Sequence, residues 1–183
     1  MHQGGEQQIN LLQNPPNSKT ELYSQLTVQV KSLLAHEEDF VANMANCAAL
    51  LYHTLPHLNW VGFYILREDV LVVGPFQGKP ACVRIPLGKG VCGTAAEHQE
   101  TIRVDNVRQY PGHIACDEAS QSEIVIPLLK DGRLIGVLDL DSPILDRFDA
   151  EDAAGLEQIV AIFIELTNIH NKPDLSQTRM ESE

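Results

Sequence analysis

The residues best suited to chemistry in this sequence are its cysteines, three of which lie at positions 82, 92 and 116. Their spacings of 10 and 24 residues match no Cys-x-x-Cys pair or comparable zinc motif, so we expect no metal. The N-terminus does not resemble a signal peptide, and four cysteines do not suggest a structural disulfide framework. Any thiol chemistry is therefore expected to be reversible. The fourth cysteine, Cys47, lies on an apolar helical stripe and is expected to be a small buried hydrophobe.

Two of these cysteines are candidate nucleophiles. Cys116 stands among Pro, Gly, Asp, Glu and Ser residues in the longest internal segment without periodicity, 106–122, and an exposed thiol is tolerated mainly when its reactivity is used. Asp117 and Glu118 would raise the pKa of the thiol if they face it, whereas His113 or a helix N-terminus would favour the thiolate. Cys92 opens a short helix, where the helix dipole also favours a thiolate.

Three carboxylates form a second candidate group. Glu123 heads one strand, and Asp139 and Asp141 lie two residues apart on the next strand, hence on the same face. Such a group is either a solvated acidic patch or a site that binds an ammonium group or keeps one carboxyl protonated as a proton donor. Trp60 and Tyr64 share a face of another strand; this spacing is common in cores, but it would also form an aromatic wall for a methylthio or cationic group.

The predicted elements suggest how these residues are positioned. Ser18 and Glu21 form a capping box for a first helix that runs to about His36, and Asp39 caps a second helix that ends before Pro56. The alternating patterns then predict strands at 59–66, 70–73, 81–85, 101–104, 123–129 and 134–140, a short helix from about residue 90, and a last helix from Asp149. Strands joined by turns favour an antiparallel sheet with helices packed on it, an α+β domain.

Length and charge narrow the class of protein. A chain of 183 residues fits one domain, expected at 18–170, with a flexible leader at 1–17 and a flexible tail at 171–183. The formal net charge of −12 argues against nucleic acid and anionic lipid as partners. The sequence has no apolar run long enough to span a membrane, which leads us to expect a cytoplasmic protein.

Seven segments of the sequence resemble a known family. They are NWVGFY (59–64), GPFQG (74–78), AC (81–82), GKGVCGTA (88–95), HIACD (113–117), SEIVIP (122–127) and GVLDLDS (136–142). Together they are similar to the free methionine-(R)-sulfoxide reductases, which are GAF-domain enzymes, and the resemblance covers roughly residues 20 to 168. Three cysteines in this context make it specific, since ordinary GAF sensor domains share only the general framework.

The resemblance implies a GAF fold, with a central six-stranded antiparallel sheet flanked by helices, and an enclosed pocket for free methionine sulfoxide. It also implies thiol-dependent reduction that is recycled by thioredoxin and needs no metal or organic cofactor. Carried over by position, Cys116 would attack the sulfoxide sulfur and become a sulfenic acid, and Cys82 would resolve it as a disulfide. Cys92 matches a further family cysteine with a catalytic role.

The remaining site residues follow from the same resemblance. Glu123, Asp139 and Asp141 match acidic pocket residues expected to hold the substrate amine and to protonate or polarise the departing oxygen. Trp60 and Tyr64 would suit the methylthio end, because aromatic faces attract sulfur and methyl groups.

Two further expectations accompany this interpretation. The alternative function is a GAF binding module that senses a small metabolite without catalysis, in which the cysteines are redox sensors or core residues. A homodimer is also expected, because GAF proteins often pair through their outer helices and the first helix carries an apolar stripe.

Overall fold

The structure, a computed structural model, describes residues 16–114 and 117–169. Almost all of the predicted leader and the whole predicted tail lie outside the described residues. The helices are α1 (Lys19–Leu34), α2 (Phe40–Thr54), α3 (Gly90–His98) and α4 (Ala150–Leu166), with one 3-10 turn at Val107–Gln109. The strands are β1 (Trp60–Arg67), β2 (Val70–Gly78), β3 (Arg84–Pro86), β4 (Ile102–Val104), β5 (Ser122–Lys130) and β6 (Arg133–Ser142). No helix in the described part of the chain is both long and apolar enough to span a membrane.

The strands form one antiparallel sheet in the order β3-β2-β1-β6-β5-β4, which confirms the predicted α+β class with six strands. Alternate residues of each strand serve the two faces of this sheet. One face, with side chains such as Val61, Phe63 and Leu138, packs into the core shared with α1, α2 and α4. The other face, with Trp60 and Tyr64, packs against α3. The candidate site residues of β1, β5 and β6 lie on this second face.

The helix starts agree with the predicted N-caps, but the capping box predicted for α1 is only half formed, because the Glu21 carboxylate accepts the Asn17 N–H over 2.9 Å. Ser18 Oγ accepts the Glu21 N–H, and an Asp39 carboxylate oxygen accepts the Ala42 N–H, as expected of N-caps. The predicted apolar stripe of α1 comprises Leu22, Leu26, Val30, Leu33 and Leu34. Leu33 is half-buried against the core of the same chain, and the other four are buried in that core. This stripe therefore does not provide the surface for a second copy that the sequence suggested.

Two strands differ from their predicted bounds. β2 continues beyond residue 73 through Gly74 and Pro75, because the pairing of β1 with β2 shifts register between Gly62 and Tyr64. Two residues of β2 oppose one of β1 there, and a bulge of this kind tolerates a proline that has no N–H to donate. β3 is shorter than predicted and begins only at Arg84. Cys82 consequently lies in the loop between β2 and β3, and not in a strand.

The capping box of α4 supports a test of stability. Asp149 accepts the N–H groups of Glu151 and Asp152, and its other oxygen lies 2.7 Å from Lys19 Nζ. The Asp149→Ala variant should lose about 1 kcal/mol of unfolding free energy, which lowers Tm by about 2–4 °C. Circular dichroism at neutral pH measures this change, with the exposed Asp69→Ala variant in the β1–β2 turn as control.

The pH dependence of that loss has a defined sign. The hydrogen bond from Lys19 and the backbone N–H donors lower the pKa of Asp149 from 3.8 to about 2. A carboxylate whose pKa is depressed on folding stabilises the fold above its unfolded pKa, and that stabilisation disappears as the pH falls toward the folded value. The difference in Tm between wild type and Asp149→Ala should therefore shrink between pH 4 and pH 2. A difference that stays constant over this range would contradict a role for the charge.

Candidate active site

Strand register brings the three candidate carboxylates together. Asp141 on β6 lies opposite Trp60 on β1 and opposite Glu123 on β5, and Asp139 lies opposite Gly62 on β1. Asp139 and Asp141 point to the α3 face, because their neighbours Leu138 and Leu140 belong to the core on the other face, and Glu123 does so because its neighbour Ile124 belongs to that core. All three acidic residues are buried, with 4–6% of their surface exposed. The alternative of a solvated acidic patch is therefore wrong.

Helix α3 closes this face and adds a thiol to the acidic group. Cys92, in the first turn of α3, is buried, and its Sγ lies 3.9 Å from Glu123 Oε1. The Asp139 carboxyl interacts with both Cys92 and Glu123, yet its Oδ1 has no hydrogen-bond partner among the described residues. A small cleft lies between α3 and the sheet; its described lining residues are Ile85, Lys89, Gly90, Val91, Cys92, Ile114, Glu123, Asp139 and Asp141. A buried oxygen without a partner, at the edge of a cleft, is a natural contact for a ligand.

Burial and mutual repulsion alter the protonation of the acidic residues. Burial raises the pKa of all three carboxyls well above the ordinary range. Repulsion adds to the effect, because Glu123 faces Asp141, Asp139 faces Glu123, and Asp141 faces Asp139. Three carboxylates so close together do not all ionise near neutral pH. These shifts favour the protonated form, so the site is suited to hold a proton on a carboxyl.

The same surroundings raise the pKa of Cys92, whereas the sequence led us to expect a thiolate. Burial raises the pKa of the Cys92 thiol well above 9.0, and the charges of Asp139 and Glu123 raise it further. The α3 dipole was expected to favour a thiolate here, but a helix terminus contributes less than removal from water beside two acidic groups. Cys92 is therefore a protonated thiol near neutral pH.

His113 also contacts the acidic group. Its Nε2 lies 3.4 Å from Glu123 Oε2, and burial lowers the pKa of the imidazole. A neutral imidazole would supply a hydrogen-bonding group at this point and no permanent positive charge. The sequence placed His113 as a possible cationic neighbour of Cys116, and the contact with Glu123 adds it to the cleft.

The two aromatic residues support a neighbouring loop. Trp60 and Tyr64 stack with ring centroids 5.8 Å apart, and both rings are buried. Trp60 Nε1 donates to the Lys79 carbonyl over 3.1 Å, and the Tyr64 hydroxyl donates to the Cys82 carbonyl over 3.1 Å. Neither ring is among the described lining residues of the cleft. The hydrogen bonds of Trp60 and Tyr64 position the segment 79–82. The role of the two rings as an aromatic wall for the substrate stays a prediction.

Of the two cysteines of the predicted disulfide, only Cys82 lies among the described residues. Cys82 is half-buried in the loop between β2 and β3. Cys116 lies outside the described residues, as does Ala115. The chain is described again from Asp117, which immediately follows Cys116.

A polar network around Asp117 was missed by the sequence reasoning. Asp117 is buried, and its Oδ1 accepts the Ala119 N–H over 2.9 Å and lies 3.0 Å from Lys79 Nζ. Its Oδ2 accepts from Asn59 Nδ2 over 3.3 Å, and the same amide donates to Ser120 Oγ over 2.9 Å. The Ala119 N–H and the Lys79 ammonium lower the pKa of Asp117, which is therefore a paired carboxylate. The only sequence signal was its position next to Cys116, where it was considered as an unpaired anion.

Gly62 gives this face its shape. A Cβ at Gly62 would lie 2.4 Å from the Trp60 ring and 2.4 Å from the Phe76 Cβ, so the Gly62→Ala variant must displace both. We expect an overpacking cost of about 1–3 kcal/mol, a lower Tm and a weaker affinity for a ligand of the cleft. Thermal unfolding and ligand titration measure the two effects. The Gly132→Ala variant, at a hairpin position where φ is 71° and no atom lies near the added Cβ, has backbone strain without overpacking and should keep the wild-type affinity. Equal affinities in wild type and Gly62→Ala would contradict the expectation for the cleft.

The acidic group has the composition of a cation site. Donor atoms of Cys92, Glu123 and Asp139 lie within 4.8 Å of one another, close enough to contact one ion. An organic ammonium group fits the carboxyl oxygens equally well, since it donates three hydrogen bonds. The sequence expectation of no metal came from spacing alone, and these residues come from three separate elements.

The comparisons with known proteins agree with this geometry. The GAF domain family matches residues 24–167. The chain is 54% identical over 144 residues to the free methionine-R-sulfoxide reductase of Escherichia coli. This match covers 79% of this chain and 87% of that protein.

Two solved structures extend the similarity to the fold. The fRMsr of Staphylococcus aureus in complex with substrate is 50% identical, with a TM-score of 0.77 over 84% of this chain and 97% of that one. The free methionine-R-sulfoxide reductase of Neisseria meningitidis, solved with its substrate, is 46% identical, with a TM-score of 0.81 over 85% and 93% of the two chains. The chain described here therefore belongs to the GAF domain family and, within it, to the free methionine-R-sulfoxide reductases.

Proposed function

We propose that this protein reduces free L-methionine (R)-sulfoxide to L-methionine by thiol chemistry. The observation that carries the proposal is the buried acidic group of Glu123, Asp139 and Asp141, which lines the cleft beside Cys92. A free amino acid differs from a residue of a peptide by its charged ammonium group. A buried, negatively charged site would select for that group. Relatives of high identity are named for this substrate.

The acidic group has two tasks in this reaction. Its charged members bind the substrate ammonium, and a member that keeps its proton donates to the sulfoxide oxygen as the S–O bond breaks. Burial and mutual repulsion raise the pKa values of Asp139 and Glu123, which favours a retained proton, and a bound ammonium group would favour ionisation of a neighbouring carboxyl. The unpartnered Oδ1 of Asp139 is available to contact the substrate.

We assign Cys116 as the nucleophile of the covalent step. Its thiolate attacks the sulfoxide sulfur and forms an S–S bond, and the protonated oxygen leaves the substrate sulfur as water. Water then attacks the cysteine sulfur, the S–S bond breaks, methionine departs, and Cys116 remains as a sulfenic acid. The substrate sulfur gains two electrons and the cysteine sulfur loses two. Cys92 is the poorer candidate for this role, because its pKa is raised by burial and by the adjacent carboxyls.

In the resolving step, Cys82 is the attacking thiol. Its sulfur attacks the Cys116 sulfenic sulfur, a disulfide forms, and the oxygen leaves as water. A dithiol reductant, for which we propose thioredoxin, then restores both thiols by thiol–disulfide exchange. No metal or organic cofactor takes part in these reaction steps. A homodimer and a cytoplasmic location belong to the same proposal as further expectations.

The test is a coupled assay with thioredoxin, thioredoxin reductase and NADPH. Free methionine (R)-sulfoxide, its S epimer and a peptide-bound sulfoxide are offered separately. The proposal expects NADPH consumption with the free R epimer alone, and the loss of two thiols per substrate when thioredoxin is omitted. Turnover of the peptide-bound form would contradict selection of the free amino acid. No turnover, with all thiols still reduced, would support a metabolite-sensing GAF module.

A further inference from the structure

A thiol lies within the buried acidic group. Cys92 Sγ and carboxylate oxygens of Glu123 and Asp139 lie within 4.8 Å of one another, and all three residues are buried. An ammonium group donates hydrogen bonds to oxygen, and it gains little from sulfur, which is a weak acceptor. Zn²⁺, by contrast, binds cysteine sulfur together with carboxylate oxygen. One thiol and two carboxyls thus form a ligand set for zinc as well as a site for an ammonium group.

The sulfur and the nearest carboxylate oxygen have nearly the separation of two zinc ligands. Bonds of about 2.3 Å from Zn²⁺ to sulfur and about 2.1 Å to oxygen place these two atoms about 3.6 Å apart in a tetrahedral site. Cys92 Sγ lies 3.9 Å from Glu123 Oε1. A movement of a few tenths of an ångström, which side-chain rotation supplies, brings both atoms to an ion between them.

The backbones that carry the three side chains are fixed by regular structure. Glu123 on β5 and Asp139 on β6 are diagonal neighbours on one face of the sheet. Cys92 lies in the first turn of α3. The next residue, Gly93, lets α3 approach β3 closely, since a Cβ at that position would clash with the Pro86 carbonyl oxygen. The fold therefore brings the ligands together without an ion.

Each carboxylate offers an oxygen to an ion. Asp139 lines the cleft, and its buried Oδ1 has no hydrogen-bond partner among the described residues. A buried polar atom without a partner is rare and points to a ligand. Glu123 Oε2 lies 3.4 Å from His113 Nε2, while Glu123 Oε1 faces Cys92. A hydrogen-bonding group on the outer oxygen of a carboxylate ligand orients that ligand toward a metal.

The charges that line the cleft favour a dication. Its acidic residues Glu123, Asp139 and Asp141 are buried, whereas Lys89, the basic residue of its described lining, is exposed. A bound dication offsets the repulsion among the carboxylates, and it displaces the proton of a thiol that it ligates. Mg²⁺ and Ca²⁺ prefer sites made of oxygen alone, whereas a thiolate selects zinc.

We propose that Cys92, Glu123 and Asp139 form an inhibitory zinc site, in which Zn²⁺ binds Cys92 Sγ and one oxygen of each carboxylate. The zinc is not a cofactor of the reaction steps. Its binding does not depend on the proposed function, but its effect does, because the same carboxylates are proposed to bind the ammonium of free methionine sulfoxide. One ion and one ammonium group cannot occupy these carboxylates together, so zinc and substrate compete.

The first experiment measures metal binding without substrate. The full chain carries Cys82→Ser and Cys116→Ser, which removes the two thiols of the proposed disulfide, and a chromophoric zinc indicator competes for the ion. We expect one Zn²⁺ per chain, which excess Mg²⁺ does not displace. A further Cys92→Ser or Asp139→Asn substitution should weaken binding by about 100-fold or more, since even the loss of a residue that supports a ligand costs about 10- to 100-fold.

Matched controls separate this site from other thiols and carboxylates. Cys47→Ala, on the opposite face of the sheet, and Asp131→Asn, in the exposed β5–β6 turn, should leave the zinc affinity unchanged. Cd²⁺ in place of Zn²⁺ should give the ultraviolet charge-transfer absorption of a cadmium–thiolate bond, and Cys92→Ser should abolish it. Thermal unfolding checks that each variant is folded. No bound zinc, unchanged affinity in folded Cys92→Ser, or displacement of zinc by Mg²⁺ would overturn the inference.

The second experiment tests the effect on the reaction. In a single turnover without thioredoxin, zinc should slow the release of methionine by wild type, and more free methionine (R)-sulfoxide should relieve the inhibition. Relative to its own rate without zinc, Cys92→Ser should need about tenfold more zinc, or more, for the same inhibition. Equal sensitivity of the two proteins to zinc would overturn the competition at this site.

The two proposals fail in different ways. Failure of the proposed function appears as a wild type that does not reduce free methionine (R)-sulfoxide in the coupled assay, which contains no zinc. A chain that binds zinc through Cys92 without such activity would contradict the proposed function alone. An active wild type whose Cys82→Ser, Cys116→Ser form binds no zinc would overturn the zinc site alone.

Discussion

The Asp139→Asn variant is expected to lose about 10²- to 10⁴-fold in kcat/KM for free methionine (R)-sulfoxide and to unfold at a higher temperature than wild type at pH 8. Asparagine keeps the shape of the side chain but has neither a negative charge for the substrate ammonium nor an acidic proton for the sulfoxide oxygen. If Asp139 holds the ammonium, the loss appears mainly in KM; if it donates the proton, the loss appears mainly in kcat.

The expected gain in stability follows from the direction of the pKa shift. Burial and the charge of Glu123 raise the pKa of Asp139 well above 3.8 in the folded state. The folded state therefore binds a proton that the unfolded state has already released, and this lowers the free energy of unfolding as the pH rises from about 4 toward the folded pKa. Asparagine has no proton to release. The stability of the variant relative to wild type should be greatest at pH 8 and should fall as the pH approaches 4.

Steady-state kinetics and thermal unfolding at pH 4, 6 and 8 measure these effects. The matched control is Asp131→Asn in the exposed β5–β6 turn, where φ is 51° and asparagine is well tolerated. That control should equal wild type in both readouts. Unchanged kcat/KM in Asp139→Asn, or an equal shift in Tm at all three pH values, would contradict the role assigned to this carboxyl.

The sequence predicted the placement of this carboxyl because strand alternation is a local property. Along β6, Leu138 and Leu140 are apolar while Asp139 and Asp141 are acidic, and a two-residue period separates them onto opposite faces. The Asp-Gly pair at 131–132 marked the hairpin that aligns β5 with β6. The register that follows sets Glu123 opposite Asp141. The acidic group was therefore readable from pattern and turn chemistry together.

Features that depend on contacts between distant segments were not readable in this way. The bulge that admits Pro75 into β2 depends on the register with β1, and a proline by itself indicates the end of a strand. The ion pair of Lys79 with Asp117 joins two loops, neither of which has a periodic pattern. The raised pKa of Cys92 comes from carboxyls on two other elements, whereas its own sequence context showed only a helix start.

The choice between Cys116 and Cys92 as nucleophile is the second prediction with a large expected effect. Cys116→Ser should lower turnover by about 10³-fold or more, because a serine hydroxyl does not replace a thiolate at the sulfoxide sulfur. Cys92→Ser should retain turnover within about tenfold, since Cys92 is a buried protonated thiol and a serine hydroxyl can still interact with Glu123 or Asp139.

Single-turnover mixing with free methionine (R)-sulfoxide, followed by trapping of sulfenic acid and mass spectrometry, measures the difference. The Cys82→Ser variant should release one equivalent of methionine and accumulate the Cys116 sulfenic acid, because the resolving thiol is missing. Cys47→Ala, which removes a cysteine from the opposite face of the sheet, controls for the loss of a thiol in general. A Cys92→Ser variant as inactive as Cys116→Ser, with sulfenic acid trapped on Cys92 in the Cys82→Ser background, would instead assign the attack to Cys92. In that case the surrounding carboxyls would have to accept the thiol proton when substrate binds.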